Sequence, residues 1–188
     1  METEVITTYV GLGSNLGDRA GNLLLAVRGL MEASFAVCKL SAIYETAPVG
    51  VENHAPYLNM VAEIHIKSIS PSQMMARMLR IEYLLGRTDK NLHKPRTVDL
   101  DLLLYGQFQC DTMFLTLPHP RLHLRRFVLC PLNEIAPHVV HPVLHKNIQE
   151  LLQTVNDDSE VKRWHPNLQQ ASKIENLTSK FSLIGKNY

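Results

Sequence analysis

Cysteine is scarce in this 188-residue chain: Cys38, Cys110 and Cys130 are odd in number, widely scattered and without a C-x-x-C pair. That excludes a disulfide framework and a cysteine-built zinc site, and it fits a reducing, cytoplasmic setting. Charge of one sign is lacking too. Nineteen Lys and Arg stand against 18 Asp and Glu, a formal net charge of +1, so no bulk field draws the chain to nucleic acid or anionic lipid. Neither is expected as a partner, and any anion site must be local. No apolar run approaches the ~18 residues that a membrane span needs. The opening Met1-Glu2-Thr3-Glu4-Val5 carries acid where an export signal needs base. Nothing in the pattern speaks for or against an oligomeric partner.

What is present is an ordinary globular composition, 45% hydrophobic and 20% charged, which predicts a packed core. Thr7 to Leu12 reads as a strand running into the turn-rich Gly11-Leu12-Gly13-Ser14-Asn15-Leu16-Gly17-Asp18. Asp18 is the candidate cap of a helix whose apolar stripe is Leu23, Leu24, Val27, Leu30 and Met31. Val37 to Tyr44 reads as one strand. Leu58, Met60, Ala62, Ile64 and Ile66 alternate with Tyr57, Asn59, Glu63 and His65, which predicts a strand with one polar face. Ser70-Pro71-Ser72-Gln73 supplies an N-cap, a Pro at the first helical position and a capping-box Gln. The helix it starts carries Met74, Met75, Met78, Leu79 and Leu85, and Gly86 ends it.

A basic loop, Arg87 to Arg96, leads into a strand over Val98 to Tyr105, and the order becomes β-α-β-β-α-β. That is the order of the ferredoxin-like α+β fold with an antiparallel sheet. Phe127 to Ile135 and Asn147 to Val155 predict two extra helices, and from Asn156 the chain is polar and aperiodic. The reading is therefore one domain over 1–155 and a C-terminal tail over 156–188. The tail's Trp164 and late cluster Phe181, Leu183 and Ile184 either fold back on the domain or dock on another subunit or protein, and its removal after Val155 is expected to spare the chemistry. A β/α barrel of typically ~250 residues has no room after Val155.

Three constellations could carry chemistry. Period-two geometry puts Asp99 and Asp101 on one strand face, with Val98, Leu100 and Leu102 on the other. A lone D-x-D is more often a solvated face. Here Arg87, Lys90, Lys94 and Arg96 precede it, and hard carboxylates beside cations suit Mg²⁺ with substrate phosphates. The second is Pro118 to Phe127, rich in Arg and His. Arg gives a permanently charged fork for phosphate oxygens and His a hydrogen bond near pH 7; the alternative is a solvated basic loop. The third pairs Tyr57 with Asn59 on one face: a flat heteroaromatic ring needs an aromatic to stack on and an amide to read its edge. His138, His141 and His145 are interrupted by Pro137 and Pro142 and read as loop surface. Gly11 to Gly17 approximates a dinucleotide turn, but its third glycine comes late and the strand order is wrong for one.

Tyr44-Glu45-Thr46-Ala47-Pro48-Val49-Gly50, Tyr57-Leu58-Asn59, Gly86-Arg87 and above all Pro95-Arg96-Thr97-Val98-Asp99-Leu100-Asp101 resemble the 6-hydroxymethyl-7,8-dihydropterin pyrophosphokinases of folate biosynthesis. Leu117-Pro118-His119-Pro120 and Arg125 to Leu132 continue the resemblance, which runs in order from about Thr7 to Val155. It implies a ferredoxin-like enzyme that moves the terminal pyrophosphoryl unit of ATP, its co-substrate, to the pterin hydroxymethyl group and releases AMP. It implies Asp99 and Asp101 as ligands of two Mg²⁺ ions, and Gly13, Thr46, Val49 (through its backbone), Tyr57, Asn59 and Phe127 as the pterin pocket. Arg87, Arg96, His119 and Arg125 become contacts of ATP or the transition state, with Glu82 on the nucleotide side and Asp101 the nearest base. The loop Thr88 to Lys94 lacks the tryptophan of some relatives, and Leu79 and Pro120 stand where some place polar or aromatic nucleotide contacts. A reading from a different class, a ferredoxin-like nucleic-acid-binding module, needs a basic aromatic sheet face, whereas this one carries Asp99 and Asp101.

Overall fold

The structure, a computed structural model, describes residues 4–47, 55–86 and 95–166. Its main sheet is built from β1 (Ile6–Ser14), β2 (Ala36–Leu40), β3 (Tyr44–Thr46), β4 (Tyr57–Ile66), β5 (Asp99–Tyr105) and a late strand, β8 (Val161–Arg163). The order is β5-β1-β4-β3-β8, with β2 also on β4, and every pairing is antiparallel. Helices α1 (Arg19–Glu32) and α2 (Pro71–Leu84) cross between strands, which gives the expected α+β fold. A short hairpin, β6 (Cys110–Asp111) with β7 (Thr116–Leu117), follows β5, and α3 (Arg126–Ile135) and α4 (Ile148–Thr154) come after it.

The helix starts follow local chemistry. Asp18 accepts the Gly21 N–H, and Ser70 with Gln73 forms a reciprocal capping box at α2. Within α1 the buried face is Leu23, Ala26, Val27 and Leu30, whereas Leu24 and Met31 are exposed, as is Leu79 on α2. The apolar excess of each helix is wider than the stripe the sheet can cover. Gly29 lets α1 and α2 meet, since a Cβ there would lie 2.8 Å from Ile81 Cγ2.

The two faces of the sheet differ. Val10, Leu12, Met60, Ala62, Ile64, Leu100 and Leu102 form a core beneath α1 and α2. The opposite face packs Tyr9, Val61 and Leu103 against Leu122, Leu129 and Leu132 of the α3 region. Strand β4 is thus covered on both sides, and Glu63, expected on a polar face, is buried with its carboxylate taken by Lys39 at 2.9 Å and the Tyr9 hydroxyl at 3.2 Å. Beyond the edge of α3 this second face bears Asp99 and Asp101, whose side chains are part-exposed among the described residues.

One expectation is corrected. The single strand over Val37 to Tyr44 is two, β2 and β3. At the break the Ser41 hydroxyl accepts the Val61 N–H and donates to the Ala42 carbonyl, replacing ladder bonds with side-chain bonds. The chain beyond Val155 folds back on the domain, one of its two expected courses: it adds β8 to β3, and Trp164 packs on the main core. Removal after Val155 would strip this strand from the sheet. The late cluster Phe181, Leu183 and Ile184 lies outside the described residues.

Candidate active site

That half of the face is built by the ends of β1, β4, β3 and β5. Register places Gly13 between Asn59 and Asp99, Gly11 beside Asp101, and Thr46 opposite Tyr57. Opposed residues share a face, so Gly13, Thr46, Tyr57, Asn59, Asp99 and Asp101 look the same way. Asn59 is buried and its Nδ2 donates to Thr46 Oγ1 at 2.9 Å. A Cβ on Gly13 would come within 3.1 Å of Asn59 Oδ1, so glycine there keeps the amide edge clear and the sheet floor flat.

The paired carboxylates stand differently. Asp99 Oδ2 is held by Arg96 Nη1 at 2.7 Å. Asp101 Oδ2 has His119 Nε2 and Arg125 Nη1 each at 4.0 Å, and its side chain keeps 38% of its surface. Burial on the sheet floor, then the charge of Asp99, push the Asp101 carboxyl up to about 6 against the opposing pull of Arg125, Arg121 and Arg96. A carboxylate pair that resists its own double ionisation fits a hard divalent cation, with water and substrate oxygens completing its shell. Among the described residues no group of three or more His, Cys, Asp or Glu side chains could hold a metal ion by itself. His138, His141 and His145 do not form such a group. His141, expected on the surface, is buried instead, its Nδ1 accepting the Val143 and Leu144 N–H groups of its own turn.

His119 reaches the site from a turn anchored on β5, its N–H bonded to the Leu103 carbonyl. Burial, then the charges of Arg125 and Arg121, bring its imidazole down to about 4. It is neutral at pH 7, and because Nδ1 accepts the Arg121 N–H at 3.2 Å, its proton sits on Nε2, the nitrogen nearer Asp101. The Arg125 guanidinium lies 5.4 Å from the Phe127 ring centre, so the aromatic wall and the cation beside Asp101 are joined.

Glu82, which the resemblance puts on the nucleotide side, is buried on α2, and its Oε1 accepts the Leu100 N–H at 2.8 Å, holding edge strand β5 between the two aspartates. Residues that the sequence did not single out also shape the site. Asn15 exchanges bonds with Arg96, Oδ1 accepting its N–H at 2.7 Å and the Asn15 N–H donating to its carbonyl at 3.1 Å. Arg19 spans Glu45 at 2.9 Å and the Pro56 carbonyl at 2.6 Å. In the sequence Asn15 shows only as a turn residue. Val49, Arg87 and the loop Thr88 to Lys94 lie outside the described residues.

Beside Asp101 and His119 a cavity of about 230 Å³ is lined by Met75, Leu102, Thr112, Met113, Phe114 and Leu115 among others. The cleft therefore has three regions: an amide-and-aromatic end, a carboxylate centre ringed by Arg96, Arg125 and His119, and a mostly apolar end.

Residues 9–137 match the profile of the 7,8-dihydro-6-hydroxymethylpterin-pyrophosphokinase family. The chain is 46% identical over 132 residues to a 2-amino-4-hydroxy-6-hydroxymethyldihydropteridine pyrophosphokinase of Bacillus subtilis, covering 70% of this chain and 78% of the relative. To the protein of that name from Aquifex aeolicus it is 38% identical over 144 residues, 77% and 89% of the two chains. A mitochondrial folate synthesis bifunctional protein of Pisum sativum aligns over 99% of this chain at 32% identity, and this chain covers 33% of it. In fold it is similar to crystalline Plasmodium falciparum HPPK-DHPS with pteroate, with a TM-score of 0.65 at 16% identity over 81% of this chain and 43% of that one.

Proposed function

The chain belongs to the 7,8-dihydro-6-hydroxymethylpterin-pyrophosphokinase family and transfers the pyrophosphoryl group of ATP to hydroxymethyldihydropterin in folate synthesis, and on that premise we propose how its residues divide the work. The observation that carries the proposal is the pair Asp99 and Asp101 on one sheet face, ringed by Arg96, Arg125 and His119. Thr46, Asn59 and Gly13, with the Val49 backbone, take the pterin edge, and Tyr57 and Phe127 stack on its ring. The apolar cavity beside His119 takes the adenosine end of ATP, leaving its phosphates over the carboxylates.

Asp99 and Asp101 would hold two Mg²⁺ ions, which when bound neutralise phosphate charge and lower the barrier to in-line displacement. The pterin hydroxyl oxygen bonds to the β-phosphorus as the bond from that phosphorus to the α,β-bridging oxygen breaks, and AMP departs with that oxygen. Arg96 and Arg87 stabilise the charge that develops on the transferred group, and Arg125 and neutral His119 donate to phosphate oxygens. Asp101, the carboxylate at the centre of the site, is the side chain we assign to take the hydroxyl proton. The cytoplasm is the proposed setting, supported by three free cysteines. Among the described residues no helix is long and apolar enough to cross a membrane.

The assignment of the pterin end is tested by Tyr57→Ala and Phe127→Ala. Each removes one stacking face and should weaken pterin binding by roughly 1 to 3 kcal/mol while leaving ATP binding unchanged. Calorimetric titration of both variants decides it, and an unchanged pterin affinity in the double variant would exclude the stack. The activity itself is tested by product analysis: AMP should accumulate only when pterin, ATP and Mg²⁺ are all present.

A further inference from the structure

The first turn of α3 carries two proposed site residues, yet α3 has no cap of its own. Arg125 occupies the N-cap position with extended backbone, φ −124° and ψ 108°, and its side chain makes no capping bond. That side chain is turned to Asp101 and the Phe127 ring. The Arg126 N–H at the head of the helix is satisfied from 31 residues away, by Asp157 Oδ2 at 2.7 Å. The other Asp157 oxygen accepts the Ser159 N–H at 3.0 Å, so the carboxylate is fixed by both ends.

From Asp157 the chain runs directly into β8. Val161 pairs with Thr46 and Arg163 with Tyr44. The Arg163 guanidinium reaches Glu134 Oε1 on α3 at 3.1 Å, while Glu134 Oε2 accepts the Ala42 N–H at 2.8 Å and the Tyr44 hydroxyl at 3.2 Å. The Trp164 N–H donates to the Ile43 carbonyl at 2.8 Å. One short stretch, Asp157 to Trp164, therefore bonds to the strand that bears Thr46 and to the helix that bears Phe127.

We propose that Asp157 is a positioning residue for the pterin pocket: by capping α3 it sets where Phe127 and Arg125 stand, while the strand that continues from it sets Thr46. The inference rests on the pterin assignment above. It differs from simple reinforcement of the fold because the cap acts on one turn only. Loss of an N-cap costs about 1 kcal/mol, felt where the turn frays, and here that turn carries the aromatic wall.

The test uses the full chain with Asp157→Ala, Asp157→Asn and Asp157→Glu. Asp157→Ala should raise the pterin KM about tenfold and leave the ATP KM within about twofold. Asp157→Asn, whose amide oxygen can accept the Arg126 N–H while its NH2 gives up the Ser159 N–H, should return the pterin KM to within about threefold of the parent. Asp157→Glu keeps the charge but displaces it by a methylene, and should raise the pterin KM about threefold; it decides the matter if Asp157→Ala does not fold. A fall in thermal midpoint with both KM values unchanged, an equal rise of both, or no rescue by Asn would overturn the proposal. Amide exchange of a peptide spanning Arg125 to Cys130 separates the two readings, since it should quicken in Asp157→Ala whatever the substrate. Faster exchange in Asp157→Ala, made from a parent chain that shows no pterin-dependent AMP release, would overturn the pterin assignment, and with it the pocket role of Asp157, leaving only a cap.

Discussion

Asp101→Asn should lower kcat by about 10³-fold or more, some 4 kcal/mol of transition-state stabilisation, and at the same time make the metal-free protein more stable at pH 7.5. The two effects have one cause. In the folded, metal-free chain the Asp101 carboxyl titrates at about 6 against a usual 3.8, because burial and Asp99 oppose its charge. A carboxyl raised in this way favours folding most below its unfolded pKa, and that contribution is lost as pH rises through about 6. At pH 7.5 the ionised group is therefore a cost that an amide of the same shape removes. Thermal melts of metal-free parent and variant at pH 5 and pH 7.5, beside turnover at saturating Mg²⁺, read both. A variant that is inactive and also less stable at pH 7.5 would mark Asp101 as structural, and near-parental turnover would remove it from the reaction.

The second large effect is expected at Arg96. Arg96→Ala should lower kcat about 10²- to 10³-fold with a small change in pterin KM, because its charge acts on the group in transfer and not on the ring. Its guanidinium starts 2.7 Å from Asp99 Oδ2, and its backbone is clamped to Asn15. It is thus held at the carboxylate centre before any substrate arrives, which is the preorganisation that electrostatic catalysis requires. Arg96→Lys should recover only part of the loss, since an ammonium cannot present two parallel donors. Steady-state kinetics on the three proteins settles it. A loss confined to pterin KM would place Arg96 in the pterin pocket instead.

The parts of this fold that showed in the sequence are those where local chemistry and long-range packing agree. The alternation of β4, the Ser70 to Gln73 capping box and the Asp99-x-Asp101 face each encode their element within a few residues. Strand β8 could not be seen that way. Val161-Lys162-Arg163 is too short to alternate, and its partner β3 lies more than a hundred residues earlier. Sequence separation also hid Asp157, whose capping of α3, 31 residues earlier, exists only once the chain has closed on itself. Glu82 illustrates a different limit: the resemblance names the residue, but only the folded chain shows its carboxylate accepting a backbone N–H of the edge strand. Leu24 and Met31 were over-read because hydrophobicity marks what can be buried, whereas the width of the sheet decides what is.

The position at which ATP is cut tests the central claim most directly. With ATP labelled at the β-phosphate, the pterin acceptor and Mg²⁺, the account predicts that the label passes to the pterin product while unlabelled AMP is released. Label retained in ADP, with only the γ-phosphoryl group moved, would mean an ordinary kinase and contradict it.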